Sequence, residues 1–408
     1  MSKWVLALSL LLLSNCSHFS QIKKSGKIKV FHYNIKELDS KKLRNQNHPQ
    51  VQAVAEVLKK YEFDLLSINE IQYDLPGVPN PLYQTRGENM ALLLENTGYK
   101  RDDFHISFYP ANTGKKAKQK MSGQYVEDFS DKEALKLADQ ESFGIYPAQY
   151  STGLASKFKI VRTFQTNDIK WIEFNPERDP SQFTDAFGRP LRKDMPLFDK
   201  NFTDTVIDVE GRQIHIITFH TVPAFHFGNK KTPNYERNAD QLRFLEWYLT
   251  GNTDIKVHLP NIAPLHEREL FIAMGDFNTD FKDNKNPGST VIRRMQANLA
   301  SVFPDEPYSY ESDGFTPNPF SLRLDYIFYR GLKIVDKEMI TPKSERLFLG
   351  CDHTILEKIK GKLPKNREIV SYFDKEKGTQ CYDTVDKFYA TLKNASDHFP
   401  LWVGFDFE

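Results

Sequence analysis

Short apolar runs recur along the chain, and most stop on a side chain that can hydrogen-bond, bind a cation or titrate. Ile28 to Ile35 alternates as a strand does and carries Asn34 near its end. Val51 to Lys60 changes to helical spacing, with Val51, Val54, Ala55, Val57 and Leu58 on or near one face. Phe63 to Glu70 returns to the strand pattern and closes on Glu70. The first elements therefore read strand, helix, strand. A Pro/Gly loop follows at Asp74 to Pro81, then a helix from Glu88 to Gly98 with glycine at its end.

The pattern lapses over residues 112–143, which begin with Lys115, Lys116, Lys118 and Lys120 and then turn acidic and helix-prone. Such a segment is a solvated insertion, or a basic loop reaching toward phosphates. Tyr150 to Lys157 is again strand-like, and the Pro- and Asp-rich stretch from Trp171 to Asp199 reads mostly as loop, a wall for a cleft. Asp204 to Val209, a hairpin at Gly211, and Ile214 to His220 give two more strands, the second ending on an imidazole. Tyr235 to Leu249 is an amphipathic helix, with Leu242, Leu245 and Trp247 to Leu249 on its apolar side and Arg237, Asp240 and Arg243 expected on its polar surface.

Leu270 to Asp280 reads Leu-Phe-Ile-Ala-Met-Gly-Asp-Phe-Asn-Thr-Asp, a buried strand that stops in acid and amide residues. Asp276 and Asn278 lie two apart, so on an extended backbone they point the same way. That pair suits a phosphate, a hydrated metal or an attacking water; it equally suits an ordinary turn. Leu322 to Tyr329 is a strand with a lone acid, Asp325, and Ala395 to Val403 enters the last strand through Asp397 and His398.

Composition narrows the class. With 39% hydrophobic and 27% charged residues the chain is globular and can bury a large core. The formal net charge of +1 excludes a strongly basic nucleic-acid coat but leaves room for a local positive groove. An aromatic share of 13% provides for a stacking or lipid-facing surface. At the N-terminus, Lys3 precedes an apolar core from Trp4 to Leu13 that is too short to span a bilayer, followed by Leu13-Ser14-Asn15-Cys16. Residues 1–16 thus read as an export signal ending on a lipobox-like Cys16, whose lipidation would anchor the chain to a bacterial membrane; plain secretion is the alternative. Residues 17–27 form a polar tether, and residues 28–408 a single domain with insertions near 112–143 and 343–393. In an oxidising compartment Cys351 and Cys381 are an even pair; a disulfide between them would contribute roughly 3 kcal/mol through loop closure.

The strand-associated residues Asn34, Glu70, His220, Asp276, Asn278, Asp325, Asp397 and His398 are the candidate site. Glu70 at the end of an apolar strand is costly to bury unless paired, protonated or bound to a cation; otherwise it is a rim residue facing water. Oxygen ligands such as Glu70, Asn34 and Asp397 suit Mg²⁺, Mn²⁺ or Ca²⁺, whereas the lack of paired thiols and of His-x-x-x-His spacing argues against zinc.

In order, Asn34, Ile68-Asn69-Glu70, Thr218-Phe219-His220, Gly275-Asp276-Phe277-Asn278, Leu324-Asp325-Tyr326-Ile327 and Ser396-Asp397-His398-Phe399-Pro400 resemble the endonuclease/exonuclease/phosphatase superfamily of deoxyribonuclease-like enzymes, and Arg237 to Phe244 together with Tyr146 to Tyr150 further resemble its exported bacterial members. The resemblance implies a four-layer α/β sandwich, two packed mixed β-sheets flanked by helices, with the site at one rim. It implies Glu70 as principal metal ligand with Asn34 and Asp397, His398 as the base that activates water, and Asp325 as the residue holding its tautomer. Asp276 would position that water or the leaving oxygen, and Asn278 and His220 would hydrogen-bond phosphoryl oxygens. The carboxylate that would pair with His220 has only Glu88 and Glu141 as candidates. The expected activity is divalent-metal-dependent hydrolysis of a phosphate ester, in the first place as a nuclease-like phosphodiesterase, with a phospholipid or sphingolipid phosphodiesterase or a small-molecule phosphatase as the alternatives, by a chain taken as monomeric. A non-catalytic exported binding protein is the reading from another class. Aromatic residues flanking the cleft would favour lipid.

Overall fold

The computed structural model describes residues 26–79, 83–359 and 361–408. The export signal, Cys16 and most of the tether lie outside them. Two six-stranded sheets organise the rest. One runs in the order Leu332–Met339, Leu401–Phe407, Ile28–Leu38, Leu65–Ile71, Ser151–Ser156, His105–Phe108. The other runs Lys159–Thr166, Phe202–Val209, Arg212–His220, Leu270–Asp276, Asp325–Arg330, Ala300–Ser301.

Each sheet is antiparallel except for one central parallel pair: Ile28–Leu38 with Leu65–Ile71, and Arg212–His220 with Leu270–Asp276. Parallel neighbours require a crossover. Helix Pro49–Lys59 supplies the first and helix Asn234–Thr250 the second. The βαβ crossover is thus used twice, and each copy sends two strand ends to the same rim.

Alternation along the strands fixes the layers. In the first sheet Phe31, Tyr33, Leu66, Ile68 and Trp402 pack on helices Pro49–Lys59, Asn89–Asn96 and Lys387–Ala395. In the second, Ile217, Phe219, Phe271 and Ala273 pack on helices Asn234–Thr250 and Pro287–Asn298. The opposite faces, with Val30, Leu65, Leu154, Ile214, Ile216, Ile272, Met274, Ile327 and Val403, meet between the sheets. The result is the four-layer α/β sandwich expected from the sequence.

Toward one end this inter-sheet face changes character. Val30 is succeeded on its side by His32 and Asn34, Leu65 by Ser67 and Asn69, Met274 by Asp276, and Ile327 is preceded by Asp325. The polar members are all buried.

The insertions differ from each other. Residues 112–143 hold a single short helix, Ala134–Leu137, and their Val126 and Ala134 join Ile145 just beyond in a small core. Within residues 343–393 a three-stranded sheet of Leu347–Gly350, Thr379–Asp386 and Arg367–Asp374 forms an ordered lobe, and Cys351 is bonded to Cys381 there. The helix Asn234–Thr250 has the expected extent, but Arg237 and Asp240 are buried, not on the surface. Arg237 donates to the carbonyls of Glu141, Pro196 and Leu197 at 2.6–2.9 Å, and Asp240 accepts from Trp171 Nε1 and Asn175 Nδ2. Loops laid over the helix cover its polar side as well. Among the described residues no helix is long and apolar enough to cross a membrane.

Candidate active site

The two parallel pairs end side by side, so Asn34 and Glu70 from one sheet face His220 and Asp276 from the other. Both strands of the first pair are irregular there: their register shifts between Asn34 and Leu38, and Leu65–Ile71 shifts again against its other neighbour between Asn69 and Ile71. A bulge re-aims the side chain that it carries. Glu70 has φ +62°, Lys36 +46°, Glu37 +50° and, across the cleft, Asn278 +48°. Non-glycine residues seldom adopt this left-handed region, and they do so where surrounding contacts hold them. Here Glu37 N–H donates to Glu70 Oε2 (3.1 Å), and Asn278 N–H donates to Asp276 Oδ1 (2.7 Å). Gly275 serves a different need. A Cβ at that position would lie 1.7 Å from the Phe219 carbonyl oxygen, so the close approach of these strands excludes a side chain.

Asp276 is the hub. Its Oδ2 accepts from Asn34 Nδ2 (3.0 Å) and Asn278 Nδ2 (3.2 Å), and lies 3.4 Å from His220 Nε2 and 3.7 Å from His398 Nε2. Asn69 Oδ1 fixes it from behind through the Asp276 N–H. Asn34 Nδ2 also donates to Glu70 Oε1 (3.1 Å), so one amide bridges two carboxylates. Asp397 stands at the mouth, 3.7 Å from Lys36 Nζ, beside Ser396, whose hydroxyl donates to the Asn34 carbonyl.

His398 Nδ1 pairs with Asp325 Oδ2 at 2.8 Å, and the same oxygen accepts from Ser309 Oγ at 2.7 Å. Burial alone would lower the imidazole pKa, but Asp325 and Asp276 outweigh it and push His398 up to about 10. Asp325 is held far below the carboxylate range; burial opposes this, and His398 and His32 prevail. Glu70 is pushed up to about 7 by burial and then by the charge of Asp397. His220 is lowered to about 4 by burial and by Lys200. Two trios, Glu70 with His220 and Asp276, and Asp276 with Asp325 and His398, bring their ligand atoms within 4.8 Å of one another. Asp276 belongs to both.

All eight candidate residues reach this rim, but neither proposed acid contacts His220. Glu88 pairs with Arg101, and Glu141 with Lys116 and Arg192. His220 uses Nε2 toward Asn278, Asp276 and Glu70, and its buried Nδ1 has no hydrogen-bond partner among the described residues. The nearby charge pair is Asp199 with Lys200 (2.8 Å), at the close of the stretch read mostly as loop and a wall for the cleft and the residue just after it; Lys200 also donates to the Thr221 carbonyl. Sequence reading passed over His32, Ser67, Ser309 and Lys200. A signal for the first two was present, since His32 precedes Asn34 by two and Ser67 precedes Asn69 by two on the same strand faces.

A cleft of about 780 Å³ leads away from Glu70, His220 and Lys200. Its outer walls include Phe129, Leu135, Phe143 and Phe227, all exposed, and Phe225 packs against Phe227 with ring centroids 5.0 Å apart. The Lys-rich stretch is largely neutralised: Lys116 pairs with Glu141, Lys120 with Asp131, and Lys115 Nζ lies 3.8 Å from Asp168.

A sequence model described as Endonuclease/Exonuclease/phosphatase family matches residues 31–398. Similar solved structures include an endonuclease/exonuclease/phosphatase family protein from Leptotrichia buccalis C-1013-b, at 14% identity over 93% of this chain and 100% of that one, with a TM-score of 0.46. Sphingomyelinase C from Streptomyces griseocarneus is 16% identical over 92% of this chain and 98% of its own, with a TM-score of 0.47. The human Nocturnin catalytic domain with bound sulfate is 14% identical over 93% of both chains, with a TM-score of 0.46. Comparison with curated proteins finds no match.

Proposed function

The chain belongs to the endonuclease/exonuclease/phosphatase family, whose members hydrolyse phosphate esters, and on that premise we propose that it is a divalent-metal-dependent phosphodiesterase. The observation that carries this reading is the Asp325–His398 pair, at 2.8 Å, presenting His398 Nε2 to the carboxylate cluster at 3.7 Å. Asp325 keeps the proton on Nδ1, so Nε2 is the atom that takes the proton of the attacking water. Asn278 Nδ2 and His220 Nε2 serve as phosphate contacts. With its pKa near 4, His220 is neutral at pH 7 and acts by hydrogen bonding.

The donor set fits a hard cation. Glu70, Asp276 and Asp397 supply carboxylate oxygens, Asn34 turns its Nδ2 toward them while its Oδ1 accepts from the Lys36 N–H (3.0 Å), and Glu70 is raised to about 7 by burial and then by the charge of Asp397. Glu70, with Asn34 and Asp397, would hold Mg²⁺, Mn²⁺ or Ca²⁺. When bound, such a cation supplies neutralisation of the charge that builds on phosphoryl oxygens. The same surplus of carboxylate charge keeps His398 protonated, so its use as a base requires that charge to be balanced.

Within this class the apolar outer walls favour a phospholipid or sphingolipid over nucleic acid, because exposed Phe129, Phe143 and Phe227 match acyl chains and the paired lysines offer little to a polyanion. Export with lipidation at Cys16 would set the site beside a membrane, and the Cys351–Cys381 bond is consistent with an oxidising compartment. The test is a panel of plasmid DNA, RNA, sphingomyelin and phosphatidylcholine vesicles, inositol phosphates and bis(p-nitrophenyl) phosphate, each with Mg²⁺ or Mn²⁺ and with EDTA. Cleavage that requires the cation, fastest on a choline lipid, is the expected result. Full activity in EDTA overturns the mechanism, and preference for DNA overturns the lipid reading.

A further inference from the structure

We propose that the Asp325–His398 pair is the outer half of a four-residue hydrogen-bonded chain, continued by His32 and Ser67, in which His32 is a positioning residue for Asp325. The inference rests on the proposed role of His398 as the base.

His32 is wholly buried, on the same face of its strand as Asn34, and reaches from the first sheet toward Asp325 on the second. Its Nδ1 lies 3.1 Å from Ser67 Oγ, because His32 and Ser67 are register partners across the parallel pair. Its Nε2 lies 3.5 Å from Asp325 Oδ1. Both of these facing atoms are buried, and among the described residues neither meets the geometry of a hydrogen bond with any group, so each has its bonding capacity free for the other. Leaving a buried donor or acceptor unpaired is costly, and a facing pair of this kind is the economical solution.

Chemistry then selects the tautomer. A neutral imidazole has one donor and one acceptor. With the proton on Nδ1, the Nε2 lone pair would face a carboxylate lone pair, which is repulsive. With the proton on Nε2, His32 donates to Asp325 Oδ1, and the Ser67 hydroxyl donates to Nδ1. Asp325, an acceptor only, therefore sets which end of His32 carries hydrogen, and the Ser67 hydroxyl, able to donate or accept, completes the pairing at Nδ1.

The consequence falls on the base. Asp325 Oδ2 receives His398 Nδ1 and Ser309 Oγ, while Oδ1 receives His32. Donors on both oxygens fix rotation of the carboxylate about its Cβ–Cγ bond, and with it the ring plane of His398. The base is carried on the loop entering Leu401–Phe407 of the first sheet, and its partner on the second. His32 ties that partner back to the first sheet.

The test measures kcat and KM for bis(p-nitrophenyl) phosphate with Mn²⁺ in the full chain and in His32→Leu, His32→Gln, Ser67→Ala, His398→Ala and the double variant His32→Leu/His398→Ala. His32→Leu is expected to lower kcat by roughly 10- to 100-fold with KM unchanged, the scale seen when an orienting partner is lost. His32→Gln, which returns an N–H near the Nε2 position, restores most of it. Ser67→Ala gives a smaller fall in kcat, and it carries the test if His32→Leu does not fold. In the His398→Ala background His32→Leu has no further effect, an interaction that a merely structural role would not produce. Wild-type kcat in folded His32→Leu or in Ser67→Ala, or a Gln variant as impaired as Leu, overturns the proposal while a dead His398→Ala leaves the base assignment standing. An active His398→Ala overturns the base assignment itself.

Discussion

Around helix Asn234–Thr250, Arg237 donates to three carbonyls, Asp240 accepts from Trp171, Asn175 and Arg243, Asn238 donates to Thr221, Val222 and Phe277, and Gln241 joins Leu197, Asp199 and the Val222 N–H. A short distance away, at the rim, the polar groups are as deeply buried but incompletely joined: Asn69 Nδ2 and His220 Nδ1 lack hydrogen-bond partners among the described residues, and carboxylates face one another. Burial of polar groups is common to both. Satisfaction separates them, because a completed network specifies and rigidifies a fold, whereas one with surplus charge has bonding capacity left for a ligand.

Breaking the two networks should therefore produce opposite outcomes, and the largest effect belongs to the rim. His398→Ala should lower kcat by roughly 10²- to 10⁴-fold, and Glu70→Ala should abolish cation-dependent turnover. Neither should lower the thermal midpoint, as steady-state assays beside calorimetry will show. In the helix network, Asp240→Ala strands the Trp171 and Asn175 donors while Arg243 keeps Asp254, and chemical denaturation should report a loss of roughly 1 to 3 kcal/mol with kcat per folded molecule unchanged.

Acid and base titration sharpens the contrast. Glu70 is raised from 4.5 to about 7, so the folded state binds its proton more tightly than the unfolded one. Metal-free stability should fall as pH rises through that window, and Glu70→Gln should remove the slope. Asp199 is lowered from 3.8 to about 2; burial opposes the shift, but Lys200 and Arg237 prevail. Its contribution should be intact above pH 3.8 and lost as pH falls through 2, a slope that Asp199→Asn removes. Urea midpoints across pH give both signs. The smallest effect on turnover is expected from the lobe at residues 343–393: replacing Cys351 and Cys381 by Ser should cost about 3 kcal/mol of lobe stability, with turnover retained.

The strands and the eight rim residues were legible because period-two alternation ending on a polar tip is a local signal, and a strand end is where side chains leave the core. The burial of Arg237 and Asp240 was not. Arg237 meets carbonyls 40 and 96 residues away in sequence, so its helix shows an ordinary polar stripe until loops close over it. His32 and Ser67 fall between these cases: alternation tells which side of the sheet they face, and only packing of the second sheet tells that Asp325 is there. The charges that act on His220 have the same origin, since Lys200 and Asp199 come from a stretch whose irregular backbone carries no periodic signal.

The left-handed conformation of Glu70 and Asn278 bears on how this protein can be evolved. Glycine would relieve backbone strain at both positions, by of order 1 kcal/mol each, and would also discharge part of the crowded rim at residue 70. A library screened only for heat tolerance should therefore enrich Gly at 70 and 278, and its most robust members should be catalytically silent. Screening on turnover first would keep those two codons under purifying pressure and direct the gains elsewhere.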